Sequence, residues 1–260
     1  MKKSILAFAL LPLFLSVKAQ SLIGGGNIVK VNLSSLALGT YNVTYERKIL
    51  PHITASIGVS KMPKRGLPFQ SEVKNLANTD IIDYDNAKVG NFTVTPELRL
   101  YLIGAGHGLY IAPYGRYTNM DLDVPIHYQT QIVSPTTGKT TTQTVDALFT
   151  GNIKATSGGL MIGTQFQLLK KVVLDLWIVG AHFGSGSGDF STNYKQYDPT
   201  NSKVVDFEAN SIHDGLGTLK PKPFTVDNVK VDKVASTASM SIHGPWTGIR
   251  ALGLNVGIRF

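Results

Sequence analysis

The C-terminal stretch Trp246 to Phe260, WTGIRALGLNVGIRF, constrains the fold more than any other part of the chain. From Leu252 on, every second residue is apolar: Leu252, Leu254, Val256, Ile258 and Phe260. Gly253, Asn255, Gly257 and Arg259 lie between them. A period of two puts the first set on one face of a β-strand and the second on the other. Such a strand is stable only in a sheet of several strands, so the chain has to provide partners.

Seven further segments carry the same period. Asn27 to Ser35 alternates Val29, Val31 and Leu33 with Lys30, Asn32 and Ser34. Thr40 to Arg47 sets Tyr41, Val43 and Tyr45 against Asn42, Thr44 and Glu46, and Ile53 to Ser60 alternates without a mismatch. Asn91 to Leu102 continues the pattern, although Pro96 falls on its apolar face. Proline cannot donate to a ladder, so a local bulge is expected there. Leu109 to Thr118, Asn152 to Leu168 and Val172 to Ile178 complete the set.

Composition agrees with a sheet protein: 26 glycines, 10 tyrosines and 11 phenylalanines stand beside only 16% charged residues. Mean hydropathy of +0.05 excludes both a disordered chain and a helical membrane protein. With no cysteine, disulfides, thiolate metal sites and lipoprotein acylation are all excluded. Residues 1–19 read as a secretory signal peptide: Lys2 and Lys3, an apolar run from Ile5 to Leu15, then Val17-Lys18-Ala19. Cleavage is expected before Gln20 or Ser21, leaving 20–260 as the mature chain, and losing those three lysines takes the net charge from +8 to +5. No later stretch matches a membrane-spanning helix, since Val172 to Ala181 is short and carries Asp175. Membrane residence would therefore require a closed barrel, which satisfies its own backbone.

The links between the eight segments alternate in length. Those after the second, fourth and sixth are tight: Ile49 to His52, Ile103 to Gly108, and Lys170-Lys171. Those after the third, fifth and seventh are long, at about 61–88, 121–146 and 184–245. In an up-and-down barrel odd and even links lie at opposite ends, so one end carries short turns and the other large loops. The expected fold is an all-β, eight-stranded antiparallel transmembrane barrel with both termini at the short-turn end.

The polar face carries Glu46, Glu97, Arg99, Arg116 and Asp175 at mid-strand, with Lys30 and Arg259 as further members, among small neutral residues. A solvated exterior would hold more Lys and Glu, so this face is expected inside, where charges must pair or hydrate. Arg250 shares the parity of Leu252 and Leu254, which predicts a snorkelling arginine at the outer interface. Trp246 just above it is the expected interfacial aromatic.

With these strands placed, KVNLSSLALGTYNVTYERKI, VTPELRLYL, GLYIAPYGRY, VVLDLWIVGAHFG and GPWTGIRALGLNVGIRF resemble small outer-membrane barrels of the OmpA/OmpX type. More closely, they resemble an uncharacterised, domain-of-unknown-function family of such barrels. The resemblance implies the outer membrane of a Gram-negative-type bacterium, reached through a cleaved signal peptide. It implies lipid and lipopolysaccharide as surroundings, and Leu252, Leu254, Val256, Ile258 and Phe260 as the address read by the barrel-assembly machinery. It supplies no catalytic signature and no cofactor.

Three functional readings follow. The first is a structural or surface-interaction role with a polar, plugged lumen, because eight strands leave room for side chains rather than a wide channel. The second is a narrow channel for ions or small solutes along the same lumen. The third is a lipid A or phospholipid acyl hydrolase, for which Ser241 and His243 share a face above the closing strand. The six histidines lack metal-ligand spacing, and nothing in the pattern points to nucleic acid. Lys61, Lys64 and Arg65 are candidates for contact with lipopolysaccharide. A protein or glycan ligand is expected at the 184–245 segment, where Val205 to Asp214 suits a short helix and FTVDNVKVDKVASTASMSIHG suits an extension of the last hairpin.

Overall fold

The computed structural model describes residues 26–68, 70–77, 81–134, 136–219 and 223–260. The expected signal peptide, 1–19, lies outside the described residues. In chain order the elements are β1 (Asn27–Asn32), α1 (Leu33–Ala37), β2 (Tyr41–Leu50), β3 (Ile53–Gly66), α2 (Gln70–Ala77), β4 (Lys88–Tyr101), β5 (Gly108–Val133) and β6 (Thr140–Gln167). Then come β7 (Val172–Asn193), α3 (Ser202–Thr218), β8 (Thr225–Asp232) and β9 (Thr237–Arg259). Strands β1 to β7 pair antiparallel with their sequence neighbours, and β9 pairs with both β7 and β1. The result is the expected up-and-down ring of eight strands, with β8 outside it on the free edge of β9.

The C-terminal strand closes the ring. Val31 lies opposite Val256, and Asn27 and Phe260 exchange backbone bonds of 3.2 and 2.9 Å. Leu252, Leu254, Val256, Ile258 and Phe260 point outward, while Gly253, Asn255 and Gly257 point in and are buried. The same division holds around the half of the ring that carries the termini. Val43, Ile57, Leu98, Ile111, Leu160 and Ile178 lie exposed on the outside, whereas Lys30, Glu46, Arg99 and Asp175 are buried within. A strand crosses a bilayer with about 9–11 residues, and the outward, mainly apolar run from Leu160 on β6 to Leu168 just past its end matches that length.

Beyond this belt the three long connections prove to be mostly regular structure rather than loops. β5, β6, β7 and β9 run on well past the belt, with β8 added at the edge. Their inner faces enclose a conventional core of Ile126, Phe149, Ile153, Phe190, Met240 and Ile242. Helix α3 fills it, and begins at Asn201, whose side chain accepts the Lys203 N–H at 3.2 Å. Val204, Glu208, Ala209, Ile212 and Leu216 form the buried face of α3, a helical period that the Val205 to Asp214 expectation had partly caught. The expected hairpin extension is β8 with β9.

Three local expectations need correction. β1 stops at Asn32 rather than Ser35, because Asn32 caps α1 by accepting the Ser35 N–H at 2.6 Å. The register on the two sides of Pro96 is unshifted, with Val94 opposite Tyr117 and Glu97 opposite Tyr114, so no bulge accommodates it. The strand parity itself changes once. Leu252 has φ of 54°, and the β6–β7 register slips between Ile162 and Gly163, beside Ile178. Above that level the inward residues are Gly180 and His182 on β7, and Gly248 and Arg250 on β9. Both strands flip together, so their mutual register survives.

Candidate functional site

The ring is narrow and its inner face polar, so its charges meet at mid-height. Lys30 on β1 donates to Glu46 on β2 at 2.5 Å, to Gln165 on β6 at 2.8 Å and to Asp175 on β7 at 2.6 Å. Arg99 on β4 reaches Asp175 at 2.7 Å, Glu46 at 3.2 Å and Glu97 at 2.8 Å. Tyr101 donates to Glu46 at 2.8 Å and Tyr110 to Asp175 at 2.7 Å, and the Arg99 guanidinium lies 4.7 Å from the Tyr110 ring centre. The side chains of Lys30, Glu46, Arg99 and Asp175 have no solvent exposure. Strands from around the circumference contribute, so the layer spans the interior of the ring.

Of the five charged residues expected in this cluster, Glu46, Glu97, Arg99 and Asp175 are joined directly. Arg116 is not: it stands further from the termini, and among the described residues no carboxylate lies within ion-pair distance of it. Two members were less evident. Lys30 is the hub of the layer, although the sequence offered it only as a further candidate. Arg250 turns inward, donates to Glu97 at 2.7 Å, and lies 4.1 Å from the Trp177 ring centre and 4.9 Å from that of Tyr114. The snorkelling expectation for Arg250 is therefore overturned by the parity change at Leu252. A charge tally could have hinted at this, since Glu97 needs a second cation. Trp246 likewise turns away from a lipid-facing belt and packs against Phe224 at 6.1 Å, beside the core around α3.

Elsewhere, Ser241 donates to Asp189 at 2.8 Å and His243 contacts Asp227, so each candidate catalytic group is held by its own carboxylate. Lys64 pairs with Asp123 at 2.6 Å, Arg65 donates to the Leu38 carbonyl at 2.7 Å, and Lys61 is exposed. Among the described residues no group of three or more His, Cys, Asp or Glu could hold a metal, and no helix is long and apolar enough to cross a membrane. In the α3 core, burial and then the neighbouring Glu208 carboxylate push the Tyr128 phenol well above its ordinary value.

An apolar belt outside and an ionised layer inside define a β-barrel of the membrane type. The family described as a protein of unknown function, DUF3575, matches residues 5–220, and the chain belongs to that family. No curated protein matches it. Among solved structures it is similar to one described as the crystal structure of Acinetobacter baumannii CarO2. That similarity is at 12% identity, covering 90% of this chain and 97% of that one, with a TM-score of 0.37.

Proposed function

We propose that this protein is an outer-membrane barrel whose lumen does not conduct and whose role is to hold a folded extracellular cap at the cell surface. The observation that carries this reading is the fully buried layer of Lys30, Glu46, Arg99 and Asp175 across the ring. An ion crossing that layer would have to displace groups that are already mutually satisfied, in a setting where an unpaired charge costs several kcal/mol. The cap of β5 to β9 around α3 is then the working surface, rigidly presented to a protein or glycan partner. Phe260 and its outward neighbours serve insertion by the assembly machinery. Ser241 and His243 take no catalytic part.

Fractionation with heat-modifiable migration on gels tests the membrane assignment: the expected result is an outer-membrane band that shifts on boiling. Planar-bilayer recording tests the plug: the native protein is expected to be silent. Discrete, reproducible conductance steps would replace this reading with that of a narrow channel.

A further inference from the structure

Above the charged layer the lumen does not continue as a closed tube. A cavity of about 360 Å³ lies there. Its lining includes inward-facing Thr93, Arg116 and Trp177, and also Leu38, Ile249 and Ala251, which are on the outer surface. A single cavity touching both faces passes through the wall. The breach has a cause in the topology. β1 ends at Asn32, opposite Asn255, and β8 reaches β9 only as far as His243. Between those points, among the described residues, the β9 edge from Pro245 to Ala251 pairs with β7 alone. At the lower corner of the gap Ser34 of α1 stands in for a strand: its hydroxyl donates to the Leu252 carbonyl at 3.1 Å and accepts the Leu254 N–H at 2.8 Å. Apolar side chains form the lips, with Leu38 60%, Ile249 77% and Leu252 84% exposed.

The chemistry inside the cavity is cationic. The charged layer is balanced within itself: Lys30, Arg99 and Arg250 stand against Glu46, Glu97 and Asp175. Arg116 is the surplus positive charge, half-buried and without a carboxylate partner among the described residues. Trp177 is only 8% exposed, lines the cavity, and its indole N–H has no hydrogen-bond acceptor among the described residues. A half-buried guanidinium without a carboxylate and a buried N–H are each better satisfied by an acceptor, and a small anionic group supplies one for both.

We infer that this side pocket binds a single-chain anionic amphiphile, its carboxylate or phosphate headgroup on Arg116 and Trp177 and its tail leaving through the gap past Leu38, Ile249 and Leu252. The cavity is too small for a two-chain lipid to enter whole, and the exposed apolar lips favour a tail over a purely soluble anion. This goes beyond the plugged-barrel reading: it requires only the ring and its gap, not insulation or surface display.

Fluorescence of the full-length mature protein in uncharged detergent tests it, because the chain has two tryptophans. Trp246→Phe leaves Trp177 as the sole reporter. Titration with bromine-labelled hexadecanoate is expected to give saturable quenching, competed by unlabelled hexadecanoate or monohexadecyl phosphate but not by hexadecyltrimethylammonium. Arg116→Gln is expected to weaken binding by roughly tenfold or more, and Arg116→Lys by less, as for loss or weakening of a charge-assisted bond. Each variant is checked for the unboiled gel shift, so a folding failure is separated from a binding failure. Absence of saturable quenching in shifted protein overturns the inference, as does equal competition by the cationic amphiphile or an Arg116→Gln variant that binds like its parent. Protection by acetate or inorganic phosphate as strong as by the long-chain compounds overturns the amphiphile and leaves a small-anion site. Failure of the conduction test bears only on the plug.

Discussion

Arg99→Met is the substitution that most directly tests how this barrel is held together. Arg99 makes ion pairs with Glu97, Glu46 and Asp175, and its own side chain is fully buried. Methionine keeps much of the volume and removes the charge. The layer then holds Lys30 and Arg250 against three carboxylates. Glu97 retains Arg250 at 2.7 Å, but Glu46 and Asp175 are left to share Lys30. Removing one partner of a buried ion pair costs about 3–5 kcal/mol, and the shared acceptor geometry here places the expected loss in the upper part of that range. Adding Asp175→Asn restores equal numbers of opposite charges and leaves an amide that can still meet Lys30 and Tyr110. The double variant is therefore expected to regain about half of the loss or more, a coupling of roughly 2 kcal/mol. Urea titration of protein folded in uncharged micelles, read by the unboiled gel band, gives both numbers. If Arg99→Met unfolds within about 1 kcal/mol of the native protein, or the two substitutions simply add, the layer is not an ion-paired core.

Leu216 is fully buried under the β5–β9 sheet, so Leu216→Ala is expected to destabilise the cap by about 2–5 kcal/mol and expose α3 to limited proteolysis, while the stem keeps its gel shift. Ser34→Ala removes the hydroxyl that serves both Leu252 and Leu254, and is expected to accelerate amide exchange at Leu254 while leaving exchange at Val256, which is paired with β1, unchanged. Outside the barrel, hydrogen bonds from the Asn86 side chain, then from the Asn86 and Asp85 backbone, hold the Asp83 carboxyl below its ordinary 3.8. A depressed folded value stabilises the turn above pH 3.8 and the effect is lost as pH falls through the lower folded value, so exchange of the Asn86 amide is expected to speed up only in that acid window.

The ring was legible because apolar outward and polar inward residues alternate over most of each belt strand, and Ile53 to Ser60 or Leu252 to Phe260 state their faces residue by residue. Four of the lumen charges were legible for the same reason: Glu46, Glu97, Arg99 and Asp175 stand at inward parity at mid-strand. The extensions of β5 to β7 and β9 were not, because outside the lipid a strand shows water one face and helix α3 the other. Thr, Ser, Gly and Gln suffice on the wet side, and runs such as Thr140 to Thr144 read as polar loop. Pairing with an equally long neighbour, which one strand's sequence does not display, makes them strands. The orientations of Arg250 and Trp246 were hidden by a different cause, the single backbone irregularity at Leu252.

That irregularity is favourable on balance, and the magnitudes show why. A leucine in the left-handed region costs about 1–2 kcal/mol. Without it, continuous alternation would turn Arg250 toward lipid, which costs up to about 2–4 kcal/mol depending on depth. Glu97 would lose its 2.7 Å partner inside the barrel, a further cost of the order of a broken buried pair. Just below the flip the indole of Trp177 lies against Gly253, where a Cβ would come within 2.4 Å of the ring, so glycine is required opposite it. Because Ile178 and Leu252 lie at the same level, β7 and β9 turn together and keep one register on both sides of that level. The disruption falls instead on the other edge of β9, where β1 has already ended and only Ser34 remains to pair. The inward turn of Arg250 thus arises from one backbone change, beside a gap that the early end of β1 leaves open, and a variant that restored regular alternation at Leu252 would be expected to lose the Arg250–Glu97 pair.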